Sequence, residues 1–89
     1  MITLERWKTL RIRDQLGHIA SEVNRAILVK EKDADIYRQI LERALNLIDL
    51  SLSDRKWRRN PLLLLSLRDE VAKAYVGEGD NLEKLAAAF

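Results

Sequence analysis

The stretch from Asn60 to Gly77, Asn-Pro-Leu-Leu-Leu-Leu-Ser-Leu-Arg-Asp-Glu-Val-Ala-Lys-Ala-Tyr-Val-Gly, carries signals for both ends of a helix and more apolar surface than one neighbour can cover. Asn60 is suited to cap the first free N–H groups, Pro61 to the first helical position, where no N–H is needed, and Gly77 to the left-handed turn that stops a helix. The helix is therefore expected from Pro61 to about Val76. At about 100° per residue, Leu64, Leu67, Val71 and Tyr75 share one face, with Leu63 and Ala74 at its edge. Leu65, Ala72 and Val76 form a second line more than a quarter turn away, and Ser66, Asp69, Glu70 and Lys73 make the wet side. The first face belongs to a core. The second line needs a following helix or another chain.

A chain of 89 residues suits one domain, and residues 1–89 are read as a single helical domain. One proline and three glycines leave few places for turns, so long helices with short connections follow. The absence of cysteine excludes a disulfide framework and a thiolate metal site. No apolar run approaches the length of a membrane span, and Glu5, Arg6 and Lys8 leave no room for a signal-peptide apolar region, so a cytoplasmic protein is expected. Sixteen basic residues against fourteen acidic ones give a net charge of +2, too small to indicate nucleic-acid binding from composition alone.

From the N-terminus, Thr3 is a suitable cap with Glu5 in the first turn, and Ile12, Leu16, Ile19, Ala20, Val23, Ala26 and Ile27 form a sustained helical stripe. Leu4, Trp7 and Leu10 point to nearly the opposite side. Either the chain bends there and Trp7 folds back over the domain, or these residues contact a second subunit. After a polar turn, Asp33 or Asp35 caps a helix whose stripe of Tyr37, Ile40, Leu41, Ala44, Leu45, Leu47, Ile48 and Leu52 is wide enough to touch two neighbours. Leu50 falls off that stripe. Beyond Gly77, Asp80 and Glu83 form a capping box for a last short helix whose apolar side is Leu82, Leu85, Ala86 and Phe89, the natural cover for the Leu65, Ala72, Val76 line. The spacing thus predicts an all-α fold: a small antiparallel bundle of three main helices, roughly 3–31, 34–52 and 61–76, with a short C-terminal fourth near 80–89. The middle helix should lie between the others.

Three groups of residues carry candidate chemistry. Arg55, Lys56, Arg58 and Arg59 surround Trp57, a composition suited to RNA or single-stranded DNA, in which guanidinium groups neutralise phosphates and an exposed indole stacks on a base. The alternative is a connecting loop with the tryptophan packed inward and its cations paired with Asp54 or Asp49. Asp14, His18 and Glu22 make a carboxylate, histidine, carboxylate ladder at four-residue steps. Catalytic zinc generally takes more than one nitrogen ligand, and with a single histidine no metal or other cofactor is expected. Trp7, Leu10, Leu65, Ala72 and Val76 are the apolar surplus, the expected interface of a homo-oligomer, a dimer in the simplest case, or of a protein partner.

The segment Arg13-Asp-Gln-Leu-Gly-His18 resembles the arginine-to-histidine signature of the HEPN ribonucleases. That resemblance implies RNA cleavage with His18 as the base, Arg13 stabilising the phosphorane charge and Asp14 as the accessory polar group. A five-residue step on a continuous helix, however, turns the two side chains about 140° apart. Leu41-Glu-Arg-Ala-Leu-Asn-Leu looks like one helix of a tetratricopeptide pair. More broadly, the segments Leu16–Ala26, Leu41–Asp54 and Leu65–Val71 resemble small uncharacterised helical proteins of bacteria and archaea, a resemblance that implies no activity. The expectation is a non-catalytic helical interaction module that self-associates or binds a protein partner. Nucleic-acid binding through the basic loop is the second reading.

Overall fold

The computed structural model describes residues 2–79 and 82–88. Five helices follow one another: α1 (Leu4–Lys8), α2 (Ile12–Val29), α3 (Ala34–Leu52), α4 (Leu62–Tyr75) and α5 (Leu82–Ala88), with a 3-10 turn at Arg55–Trp57 between α3 and α4. The three long helices form the small antiparallel all-α bundle that the apolar stripes predict. The middle helix, α3, packs against α2 on one side and α4 on the other, and α5 lies against α2 and α4. The expected capping box at Asp80 and the C-terminal Phe89 lie outside the described residues.

The core follows the helical stripes. Ile19, Val23 and Ala26 of α2, Ile40, Leu41, Ala44 and Ile48 of α3, and Leu64, Leu67, Val71 and Ala74 of α4 are buried, and Leu82 of α5 joins them. Leu50, off the main stripe, is half-buried against this core. Charged pairs on the rim tie α3 to both neighbours: Glu22 receives Arg43 at 3.0 Å, and Asp49 receives Arg68 at 2.8 Å. Exposed pairs of this kind contribute little stability. The register is set by the apolar rows.

The first helix is not continuous. Residues 9–11 break it, and α1 becomes a separate turn packed on α3. Thr3 caps α1 by accepting from the Arg6 N–H, and the Leu10 N–H closes a tight turn on the Trp7 carbonyl at 3.1 Å. A continuous helix would leave Trp7 on the wet side. The break forgoes roughly two intrahelical hydrogen bonds at about 1 kcal/mol each. Burying an indole of about 200 Å² returns about 5 kcal/mol at 25 cal/mol/Å², so burial wins.

Helix ends are settled by specific residues. Asp33 caps α3, its carboxylate accepting from the Asp35 and Ile36 N–H groups at 3.1 Å. Asn60 does not cap α4: its own N–H donates to the Trp57 carbonyl, closing the turn that follows the 3-10 segment, and Pro61 stands at the cap position with no side-chain hydrogen bond. At the other end Gly77 adopts φ +78°, as the sequence predicts. The Glu78 N–H reaches the Lys73 carbonyl at 2.9 Å and the Gly77 N–H the Ala74 carbonyl at 3.2 Å, a Schellman closure.

The two glycines Gly17 and Gly77 separate backbone cost from packing. A Cβ at either position meets nothing within 4 Å, but only Gly77 has positive φ. Gly77→Ala is expected to lower unfolding free energy by about 1 kcal/mol, whereas Gly17→Ala, in mid-helix, should raise it by roughly 0.5–1 kcal/mol. Urea unfolding followed by circular dichroism checks the opposite signs.

Candidate functional site

The loop after α3 is where the sequence concentrates charge around an aromatic ring, and the structure turns that ring inward. Trp57 is 6% exposed, and its indole Nε1 donates to Gln15 Oε1 at 2.7 Å. The expectation that Trp57 offers a stacking face is therefore corrected. Packing on the core end of α2 buries an indole and still satisfies its N–H. Lys56 turns back as well, its ammonium donating to Asp54 Oδ2 at 2.8 Å and to the Lys8 carbonyl at 2.6 Å. Arg55, Arg58 and Arg59 remain at the surface.

Beneath the loop lies a buried polar network centred on Gln15. Its amide nitrogen donates to the Trp7 carbonyl at 3.0 Å and to Asp54 Oδ2 at 2.9 Å, while its oxygen receives the Trp57 indole. The Trp7 carbonyl and the carboxylate only accept and the indole only donates, so one amide orientation satisfies all three. The Trp7 indole donates to Ser51 Oγ at 2.9 Å, and that hydroxyl donates to the Leu47 carbonyl at 2.9 Å. Among the described residues, no buried side-chain nitrogen or oxygen lacks a partner. Gln15 carried no signal as a core residue in the sequence, except that it falls four residues before Ile19 on the same face of α2.

Burial pushes the Asp54 carboxyl up, but the Lys56 ammonium, the Gln15 amide and the Lys56 backbone N–H together hold it below the usual aspartate range. A carboxylate whose folded pKa is depressed stabilises the fold in full above its unfolded value of about 3.9 and loses that contribution as pH falls through the folded value.

Arg13, Asp14 and His18 are all exposed on α2 but do not form one site. Arg13 lines a groove beside α4 and α5, whereas His18 lines a hollow with Ile2, Thr3, Arg6, Thr9 and Leu10, its ring 5.9 Å from that of Trp7. The five-residue step explains the divergence. Glu22 is held by Arg25 and Arg43, so the ladder of Asp14, His18 and Glu22 is not an open ligand set. Among the described residues no three histidine, aspartate or glutamate side chains gather as they would around a metal ion.

The proposed interface residues separate into two groups. Trp7 is 1% exposed and tied to Ser51, so its expected place on an interface is corrected: the break after α1 turns it into the core. Leu10 is half-buried against that core. Among the described residues, α5 packs against both α2 and α4 and leaves much of the second line on α4 open. Leu65 and Val76 are 48% and 63% exposed, with Ala72 half-buried between them.

A further apolar surface was not anticipated. Ile12, Leu16, Gly17 and Ala20 of α2 form one wall of a groove, Leu63 and Leu67 of α4 the other, and Leu85 of α5 one end, enclosing about 570 Å³. Arg13 is the charged residue of its lining. Gly17 opens the α2 wall, since a Cβ there would have no neighbour. The signal in sequence was the run Leu16-Gly-His-Ile-Ala20, which leaves small residues at positions 17 and 20 beside the stripe. No family model, curated protein or solved structure matches the chain.

Gln15→Ala leaves the Trp57 indole N–H without its partner, removes one of the two donors to Asp54 Oδ2 and opens a void, and should lower unfolding free energy by about 2–4 kcal/mol in urea. For Asp54→Asn, the stability difference from the parent should be largest near neutral pH and narrow as pH falls below about 4, read from urea midpoints across that range.

Proposed function

We propose that the chain is a non-catalytic helical interaction module that self-associates or binds a protein partner, and that its groove between α2, α4 and α5 receives an apolar helix. The observation that carries this is the groove itself: a concave surface, apolar except for Arg13, with exposed Ile12 and Leu63 at its lip and small residues at Gly17 and Ala20 on its wall. A helix laid in such a groove buries leucine-sized side chains, and small residues on the wall allow its backbone to approach closely. Arg13 favours an acidic residue beside the apolar face of the incoming helix. The basic loop lacks the exposed indole that base stacking requires, since Trp57 is engaged by Gln15.

The test is a titration with a synthetic amphipathic helix of about 18 residues, leucine on one face and glutamate on the other, followed by NMR. Saturable shifts should appear at Ile12, Leu63 and Leu85 and disappear in Gly17→Glu, whose carboxylate enters the groove. Absence of shifts, combined with a monomeric mass at every concentration, would overturn the proposal.

A further inference from the structure

We infer that the groove between α2, α4 and α5 is also a binding site for a small amphiphile, an unbranched alkyl carboxylate of about ten carbons, with its head on Arg13 and its tail against Leu85. This site shares the groove with the incoming helix without depending on it, and the two occupants exclude each other. α5 fills one half of the furrow between α2 and α4. Its Leu82 is buried, and Leu85 and Ala86 are half-buried against the core. Burial pushes the Tyr37 phenol up, the Lys30 charge opposes this and the Glu83 charge adds to it, so Glu83 stands near the first turn of α3. α3 runs back along α2, which puts the start of α5 at the far end of α2 from Arg13. The groove lining, Ile12 to Ala20 on α2 with Leu63 and Leu67 on α4, belongs to the first halves of both helices. Arg13 therefore marks its outer end and Leu85 its inner one.

The lining selects the ligand. Its volume of about 570 Å³ lies in the range of small-molecule sites. Apart from Arg13, every lining side chain is aliphatic or, at Gly17, absent, so nothing along the groove can pair with a polar group on the body of a ligand. A hydroxyl or amide there loses its water and gains no partner, whereas a methylene only gains. The wall from Ile12 to Ala20 is about 12 Å long at about 1.5 Å per residue. An extended chain, at roughly 1.3 Å per carbon–carbon bond, covers it with about ten carbons. Gly17 keeps this wall low, since a Cβ there meets nothing within 4 Å. At the outer end, Arg13 makes no hydrogen bond or ion pair among the described residues, and its planar fork matches one carboxylate. Its surroundings have the same sign. Residues 5–14 and 54–60 carry eight cations against three carboxylates, and hydrogen bonds from Gln15 to Asp54 and from Lys56 to the Lys8 carbonyl hold the two segments together. One of those carboxylates, Asp54, is buried against Lys56. An anionic head is attracted to this end and a cationic one repelled.

Titration of the full chain with sodium decanoate, kept below its micelle concentration and followed by methyl NMR, tests the site. Saturable shifts should appear at Ile12, Leu63, Leu67 and Leu85. From hexanoate to decanoate each added methylene should tighten binding about twofold, because one side of the chain stays in water, and beyond about ten carbons the gain should stop at Leu85. Arg13→Glu should weaken decanoate about tenfold and strengthen decyltrimethylammonium, which has the same tail and the opposite head. Gly17→Leu, whose side chain fills the groove, should abolish decanoate binding, and circular dichroism confirms that both variants are folded. Decanoate should also displace the amphipathic helix. Shifts that do not saturate, that ignore chain length, or that persist unchanged in both variants overturn the inference. If the helix binds and decanoate does not, the interaction module stands and the alkyl site is lost. If decanoate binds and the helix does not, the alkyl site stands and the helix reading of the groove is lost.

Discussion

The amide of Gln15 joins four parts of the chain at one buried point. It fixes the end of α1 through the Trp7 carbonyl, the end of the α3 connection through Asp54, and the 3-10 turn through the Trp57 indole, all from the first turns of α2. A polar group placed so deep is destabilising unless every donor and acceptor is used. Here every one is. The consequence is specificity of arrangement: α1 cannot slide along α3, and Trp57 cannot turn outward, without stranding a buried partner. Asp54 adds a buried charge at this end, kept ionised by the ammonium of Lys56, which also caps the carbonyl of Lys8. Lys56 and Trp57 thus anchor the basic loop, while Arg55, Arg58 and Arg59 stay at the surface.

At the opposite extreme stands α4, which has more apolar surface than its neighbours α3 and α5 absorb. Its core row is met by α3, and α5 packs against both α4 and α2. What remains is an open groove on one flank, lined by Leu63 and Leu67 with Leu85, and exposed Leu65 and Val76 on the other. Polar pairs then border the uncovered line on its α3 side, Arg68 with Asp49 and Tyr75 with Glu42, so the apolar strip has a charged edge.

Much of the fold was legible because helices announce themselves by period. The stripes of α2, α3 and α4, the Asp33 cap and the Gly77 stop are local signals, and each stands where the spacing predicts. The break after Lys8 was legible only as a conflict of phase between Trp7 and Ile12. Its resolution depends on a cavity formed by residues more than forty positions away, Ser51 among them. The same limit applies to Asn60, whose N–H is taken by the carbonyl of Trp57, a residue placed by its own burial. The groove was the least visible feature, since it is defined by what two helices and a third leave between them.

Charge counted along the chain and charge placed in space lead to different functions. Four cations around Trp57 describe a nucleic-acid loop until the indole is seen to be consumed by Gln15 and the ammonium by Asp54. Arg13 and His18 describe a catalytic pair until one helix carries them to separate hollows. In both cases the polar groups that chemistry would need are spent on the protein itself or dispersed. The apolar groups show the reverse pattern. Leu62, Leu63, Leu65 and Val76 exceed what the core uses and remain at the surface in ordered rows. A fold that satisfies its polar groups internally and leaves leucines outside gains free energy from further burial, and another helix is the surface whose period matches.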